Sequence, residues 1–201
     1  MLLDAITGKI REIIDYVKFS IYVKILAMKY LIIVLVMVLT ACNFQEGNTS
    51  EGVKEAEVTT YYFIRHAEKD TVNPDNEDPD LTAVGIERAQ KWAEVFKDVE
   101  FDLIFSSNYK RTLNTAKPIA KSQNREIDIF NTEKLNDEDF QQKTNGKTVL
   151  VVGHSNLNPE FVNYIIQEEK YEYLDEMEYG SLFIAIVHPD GMRTSEVLYF
   201  N

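Results

Sequence analysis

Five apolar runs recur along the later two-thirds of the chain: TTYYFIRH (59–66), FDLIFSS (101–107), TVLVVGHS (148–155), SLFIAIV (181–187) and SEVLYF (195–200). Their β-branched and aromatic content predicts strands, and a further short strand is predicted near Ile127 to Phe130. Helical patterns lie between them. Thr82 is placed to cap AVGIERAQKWAEVFKDV, where Val84, Ala89, Trp92, Ala93 and Phe96 recur at helix spacing. YKRTLNTAKPIAKSQ offers Leu113, Ala116 and Ala120, with Pro118 a candidate kink, and NPEFVNYIIQEE carries Phe161, Ile165 and Ile166 on one stripe. Near-continuous apolar strands alternating with helices predict an α/β fold: a mainly parallel sheet covered on both faces. In VHPDGM (187–192) Pro and Gly are placed for a turn, so the last two strands are expected to form an antiparallel hairpin at an edge.

The start of the chain has a different character. Residues 30–41, YLIIVLVMVLTA, are apolar over about 12 positions, whereas a membrane-spanning helix needs roughly 20. That length suits the apolar region of a signal peptide, with Lys24 and Lys29 as its positive flank and Leu39-Thr40-Ala41-Cys42 as its processing site. This segment resembles a bacterial lipoprotein signal, which implies that Cys42 is lipidated and becomes the first residue of the mature protein. The bland alternative is a buried helix with a core cysteine. Met28 opens MKYLIIV, and a start there rather than at Met1 would give the signal an ordinary length. Cys42 is the sole cysteine, so no disulfide can form within one chain. Residues 43–57 are polar and aperiodic, and read as a flexible tether reaching roughly 20 Å. The sequence thus divides into an upstream and signal segment (1–41), a tether (42–57) and a domain (58–201), with the bacterial cell envelope, outside the cytoplasm, as the expected location.

Charge narrows the partners. The chain has 21 basic and 33 acidic residues; residues 1–41 hold 5 and 3 of these, leaving 16 against 30, a formal −14. Such a surface repels nucleic acid and anionic headgroups. Basic residues at strand ends therefore oppose the general field.

In open α/β sheets ligands bind at the carboxyl ends of the strands. The first strand ends in Arg65-His66, the second leads into a helix with Arg111 one turn in, and the third ends in Gly153-His154-Ser155. Arginine offers a planar fork of donors suited to phosphate oxygens, and histidine offers either a nucleophilic nitrogen or a charged donor. Two arginines and two histidines converging on one rim describe a phosphate pocket that calls for no metal or other cofactor. Lys69, Ser107 and Asn156 adjoin these residues and are candidate substrate contacts. His188 reads as a turn residue, and Tyr171 and Tyr173 as packing.

IRHAE, DLTAVGIERA, SSNYKRTLNTA and VVGHSN, in this order and spacing, resemble the motifs of the histidine phosphatase (phosphoglycerate mutase-like) superfamily over nearly all of residues 58–200. The resemblance implies a three-layer α/β/α fold with a mainly parallel sheet and an antiparallel edge. It also implies that His66 is a nucleophile that becomes phosphohistidine, with Arg65, Arg111 and His154 binding the phosphoryl group. Two positions depart from the pattern: Ala67 replaces the usual glycine, and Arg88 stands where glutamine is common. Ala67 fits if only its backbone carbonyl is used, holding the other nitrogen of the nucleophile. Little room remains for a large lid, which resembles phosphohistidine or general phosphomonoester phosphatases rather than a glycolytic mutase.

Many relatives place an acid after the strand that follows the arginine helix, which here points to Asp137 in NTEKLNDEDF, with Glu138 behind it. The plainer reading is that this segment is a hydrated acidic loop. Two other functions compete with the phosphatase. VVGHSNL nearly makes the elbow of serine hydrolases, with Ser155 as nucleophile and Asp175 and His188 following, although Leu157 stands where the last glycine belongs. A lipid-tethered module that binds a phosphorylated ligand without turnover is the non-enzymatic alternative. Three scattered histidines supply no zinc-ligand spacing.

Overall fold

The computed structural model describes residues 18, 20–30 and 57–200. The chain divides into two compact units, Met1–Val53 and Lys54–Asn201. In the first, residues 20–30 are helical. Among the described residues no helix is long and apolar enough to cross a membrane. The apolar run at 31–41, Cys42 and most of the tether lie outside the described residues.

The second unit is built as β1 (Thr59–Arg65), α1 (Ala83–Val95), β2 (Leu103–Ser106), α2 (Lys110–Ser122), β3 (Ile127–Ile129), α3 (Glu138–Thr144), β4 (Thr148–Gly153), α4 (Leu157–Ile166), β5 (Ser181–Val187) and β6 (Arg193–Tyr199). The six strands form one sheet in the order β3-β2-β4-β1-β5-β6. The first four in that order run parallel, and β5 and β6 are antiparallel to their neighbours. The expected mainly parallel sheet with an edge hairpin is therefore what forms.

Both faces are covered because neighbouring strand residues point to opposite sides. Tyr61 and Phe63 of β1 and Val149 and Val151 of β4 pack with Phe140 of α3 and with Phe161, Val162 and Ile165 of α4. Ile64, Leu150 and Val152 point the other way, onto Trp92 and Phe96 and onto Ala116, Ile119 and Ala120 of α2. This is why the strands read as unbroken apolar runs.

Several boundaries differ from the sequence reading. β1 stops at Arg65 and β4 at Gly153, so both histidines lie just past their strands. β6 begins earlier, at Arg193, pairing with Val187 across the predicted turn. α2 continues through Pro118. The acidic segment after β3 is not wholly loop: Asp137 caps α3, its carboxylate accepting from the Phe140 amide at 2.9 Å.

Candidate active site

Strand register brings the chemistry together. Arg65 pairs with Gly153 across the β1–β4 ladder, so His66 and His154 leave neighbouring strands side by side, and Ser106 lies opposite Val152 on the other flank. The two imidazoles meet edge to face with centroids 5.4 Å apart. They open onto a cavity of about 360 Å³ lined by Arg65, Lys69, Arg111 and Glu176 among others.

His66 is 3 % exposed. Its Nδ1 lies 2.8 Å from the carbonyl oxygen of Ala67. A carbonyl can only accept, so Nδ1 carries the proton and Nε2 is left with its lone pair. Burial, helped by the charges of Arg65, His154 and Arg111 and opposed by the Ala67 hydrogen bond, lowers its pKa from 6.5 to about 3. At neutral pH the ring is therefore uncharged and nucleophilic. Ala67 uses its backbone alone in this: its amide donates to Thr115 Oγ1 at 2.9 Å, and that hydroxyl donates to the Arg111 carbonyl at 2.7 Å.

His154 is held from behind. Ser107 Oγ lies 2.9 Å from its Nε2 and donates onward to Thr112 Oγ1 at 3.0 Å, while Thr112 donates to the Ser107 and Tyr109 carbonyls. A chain of donors ending at carbonyls makes Nε2–H of His154 the donor to Ser107. Burial, then the charges of Arg111, Arg65 and Lys69, lowers its pKa to about 4.

The two arginines differ in how far they are committed. Arg111 stacks 4.3 Å over Tyr109, lies 3.9 Å from Asp78, and has no partner for Nε. Its fork is open to a ligand. Arg65 is 1 % exposed, and its Nη1 donates to the carbonyls of Asp175, Glu176 and Glu178 at 2.9–3.0 Å. Its Nη2 donates to Glu176 Oε2 at 3.1 Å, the Tyr179 ring covers it at 4.4 Å, and Nε has no partner. Arg65 thus lines the pocket and also fastens the 175–179 loop.

Asp137 is not brought to this site. It caps α3 and lines a separate cavity with Phe105, Lys134 and Phe140. The acidic side chain that does line the pocket is Glu176. Sequence spacing gave no signal for it, since it lies in an acid-rich stretch about 20 residues past His154. Of the neighbours singled out from sequence, Lys69 and Asn156 line the cavity, whereas Ser107 is fully buried behind His154. Tyr171 and Tyr173 line a different cavity beside Glu160 and Glu169.

The serine hydrolase arrangement does not form. Ser155 Oγ donates to Glu176 Oε1 at 3.1 Å. Val187 pairs with Thr59, which places His188 at the opposite end of β1 from Arg65. Among the described residues no group of three or more His, Cys, Asp or Glu could hold a metal ion.

The model of the histidine phosphatase superfamily (branch 1) matches residues 61–142, a span that includes Arg65, His66 and Arg111. The likeness to the histidine phosphatase superfamily rests on the part of the domain that holds these three residues. Solved phosphatase and mutase structures share its fold. The α-ribazole phosphatase of Shigella flexneri superposes with a TM-score of 0.54 at 19 % identity, covering 70 % of this chain and 96 % of that one. Phosphoserine phosphatase from Entamoeba histolytica, in complex with 3-phosphoglyceric acid, gives 0.54 at 19 % identity, covering 71 % and 98 %. Phosphoglycerate mutase from Bacillus anthracis gives 0.51 at 17 % identity, covering 71 % and 93 %. No curated protein matches the sequence.

Arg88, which departs from the motif it resembles, has a local explanation. Its guanidinium binds the Glu68 carboxylate at 2.8–3.0 Å and donates to the Phe200 carbonyl at 3.2 Å. Burial works to raise the Glu68 pKa, but Arg88 outweighs it and the carboxyl is held below its ordinary range. The segment after His66 is thereby tied to α1. Gly85 is needed at the same junction, because a Cβ there would sit 2.3 Å from the Glu68 carbonyl oxygen.

Proposed function

We propose that the domain hydrolyses phosphate monoesters, or the phosphoramidate of phosphohistidine, through a covalent phosphohistidine at His66. The observation that carries this reading is the pinned tautomer: a neutral imidazole with Nε2 bare, at the floor of a cavity lined by two guanidinium groups. His66 Nε2 attacks phosphorus in line, forming the N–P bond as the ester P–O bond breaks. Arg111 and the free donors of Arg65 stabilise charge on the equatorial oxygens, and the bound anion favours the imidazolium form of His154, whose second N–H then adds a donor. Water then attacks the phosphoenzyme, and the electron pair of the N–P bond returns to Nε2.

The match to the superfamily supports phosphoryl chemistry, as does the likeness to enzymes named for small phosphate esters. The test is hydrolysis of p-nitrophenyl phosphate and phosphohistidine by the purified domain, with vanadate as inhibitor and a chelator present. Vanadate-sensitive, chelator-resistant turnover is expected. Tight binding of phosphorylated ligands without any turnover would make the domain a binding module instead.

The lipoprotein-like segment supports a location. We infer that lipid on Cys42 holds the mature chain at a membrane of the bacterial envelope, with the domain outside the cytoplasm on its polar tether.

A further inference from the structure

In-line attack from His66 fixes where the leaving oxygen must lie. His66 is at the buried floor, so the bond that breaks points away from it, toward the open mouth. Glu176 stands at that mouth. Its side chain is 75 % exposed, yet both carboxylate oxygens are directed inward, Oε2 to Arg65 Nη2 and Oε1 to the hydroxyl of Ser155, each at 3.1 Å. Its backbone is fixed as firmly: the carbonyls of 175, 176 and 178 converge on Arg65 Nη1, and the Leu174 amide donates to the Ser155 carbonyl at 3.0 Å. The arrangement holds a carboxyl group in the lining of the pocket, on a loop locked to Arg65.

We propose that Glu176, in place of Asp137, is the catalytic acid that protonates the leaving group when the substrate is an alkyl phosphate. This rests on the phosphatase reading above. Arg65 Nη2 donates to Glu176 Oε2. A phosphoryl oxygen entering the pocket competes for that donor, and a substrate arriving as the monoanion brings the proton that passes to the Glu176 carboxylate. As His66 Nε2 bonds to phosphorus, the P–O electron pair passes to the ester oxygen, which receives the Glu176 proton and leaves as the alcohol. In the second half-reaction the Glu176 carboxylate takes a proton from the attacking water, which regenerates the acid. Ester and water become alcohol and phosphate, and no other reactant is needed. An alkoxide leaves poorly without such help, whereas a phenolate or imidazole needs little.

The experiment compares wild type, Glu176→Gln and Glu176→Asp on phosphoserine, p-nitrophenyl phosphate and a series of aryl phosphates of graded leaving-group acidity. Glutamine keeps the size and the contact with Ser155 but has no proton to give. The expected result is a loss of about 100-fold in kcat/KM, which reports the first half-reaction alone, on phosphoserine, with a change under about threefold in kcat/KM on p-nitrophenyl phosphate. The dependence of rate on leaving-group acidity should steepen, and Glu176→Asp should recover part of the loss. Equal losses on both substrates would overturn the proposal. So would a lower KM on both at unchanged kcat, which would make Glu176 a plug that substrate displaces. A wild-type domain inactive on every substrate would instead overturn the phosphatase reading, and this inference with it.

Discussion

The Ala67 carbonyl accepts the Nδ1 proton of His66 at 2.8 Å, while the Ala67 amide donates to Thr115 at 2.9 Å. One peptide segment therefore fixes the nucleophile's tautomer and is itself fixed to α2. The Ala67 methyl group takes no part in either bond.

Thr115 is accordingly a positioning residue for His66. Thr115→Val removes the acceptor of a buried amide at nearly constant volume, and should lower stability by about 1–3 kcal/mol. It should also lower kcat about tenfold, since small displacements of a nucleophile are costly, with KM for p-nitrophenyl phosphate little changed. Denaturant unfolding and steady-state kinetics on the same preparation measure the two effects. A change in KM alone would place Thr115 outside this role.

Both histidines are buried neutral, and this predicts how stability depends on pH. Their folded pKa values, about 3 for His66 and about 4 for His154, lie below the unfolded value of 6.5. Between these limits the unfolded chain binds more protons, so stability falls as pH drops below about 6.5 and the contribution levels off below about 3. Replacing His66 with Asn removes one of the two groups. The unfolding free energy of His66→Asn should then fall less steeply than that of wild type over the same acid range; parallel profiles would contradict the burial of a neutral imidazole at this site.

Arg65 joins substrate binding to loop order. Lysine keeps the charge but cannot reproduce a fork that serves three carbonyls and a carboxylate. Arg65→Lys should cost about 100-fold or more in kcat/KM and should speed proteolytic cleavage between Asp175 and Tyr179. Loss of activity without faster cleavage would separate the two roles.

Much of this site was legible before any coordinates. Arg65, His66, Arg111 and His154 stand at or just after the ends of successive apolar runs, and a parallel sheet has to bring those ends to one edge. Thr82 announced its helix as well, and its hydroxyl accepts from the Gly85 amide at 3.0 Å. Asp137 misled because a short polar residue in an acidic segment serves equally as a loop acid or a helix cap. The capping signal was present: an Asp followed by Glu138 and Asp139 in the first turn, with Phe140 as the apolar anchor. Glu176 was not legible, because its place depends on three backbone carbonyls converging on a side chain more than 100 residues away. No local pattern encodes such a contact.

The membrane anchor is tested by location. Cys42→Ala should move the protein from the membrane fraction to the soluble fraction, since two or more acyl chains supply stable anchoring through about 0.8 kcal/mol per buried methylene. Retention of the variant in the membrane, or a mature protein that keeps residues 1–41, would contradict lipidation at Cys42.

The central claim is that His66 Nε2 becomes covalently phosphorylated during turnover. Rapid quenching of the domain with ³²P-labelled substrate, followed by peptide mapping, tests it most directly. The account predicts an acid-labile, base-stable label on the peptide containing His66, formed and discharged at rates compatible with kcat and absent from His66→Ala. Full turnover by His66→Ala, or label on Ser155 instead of His66, would contradict it.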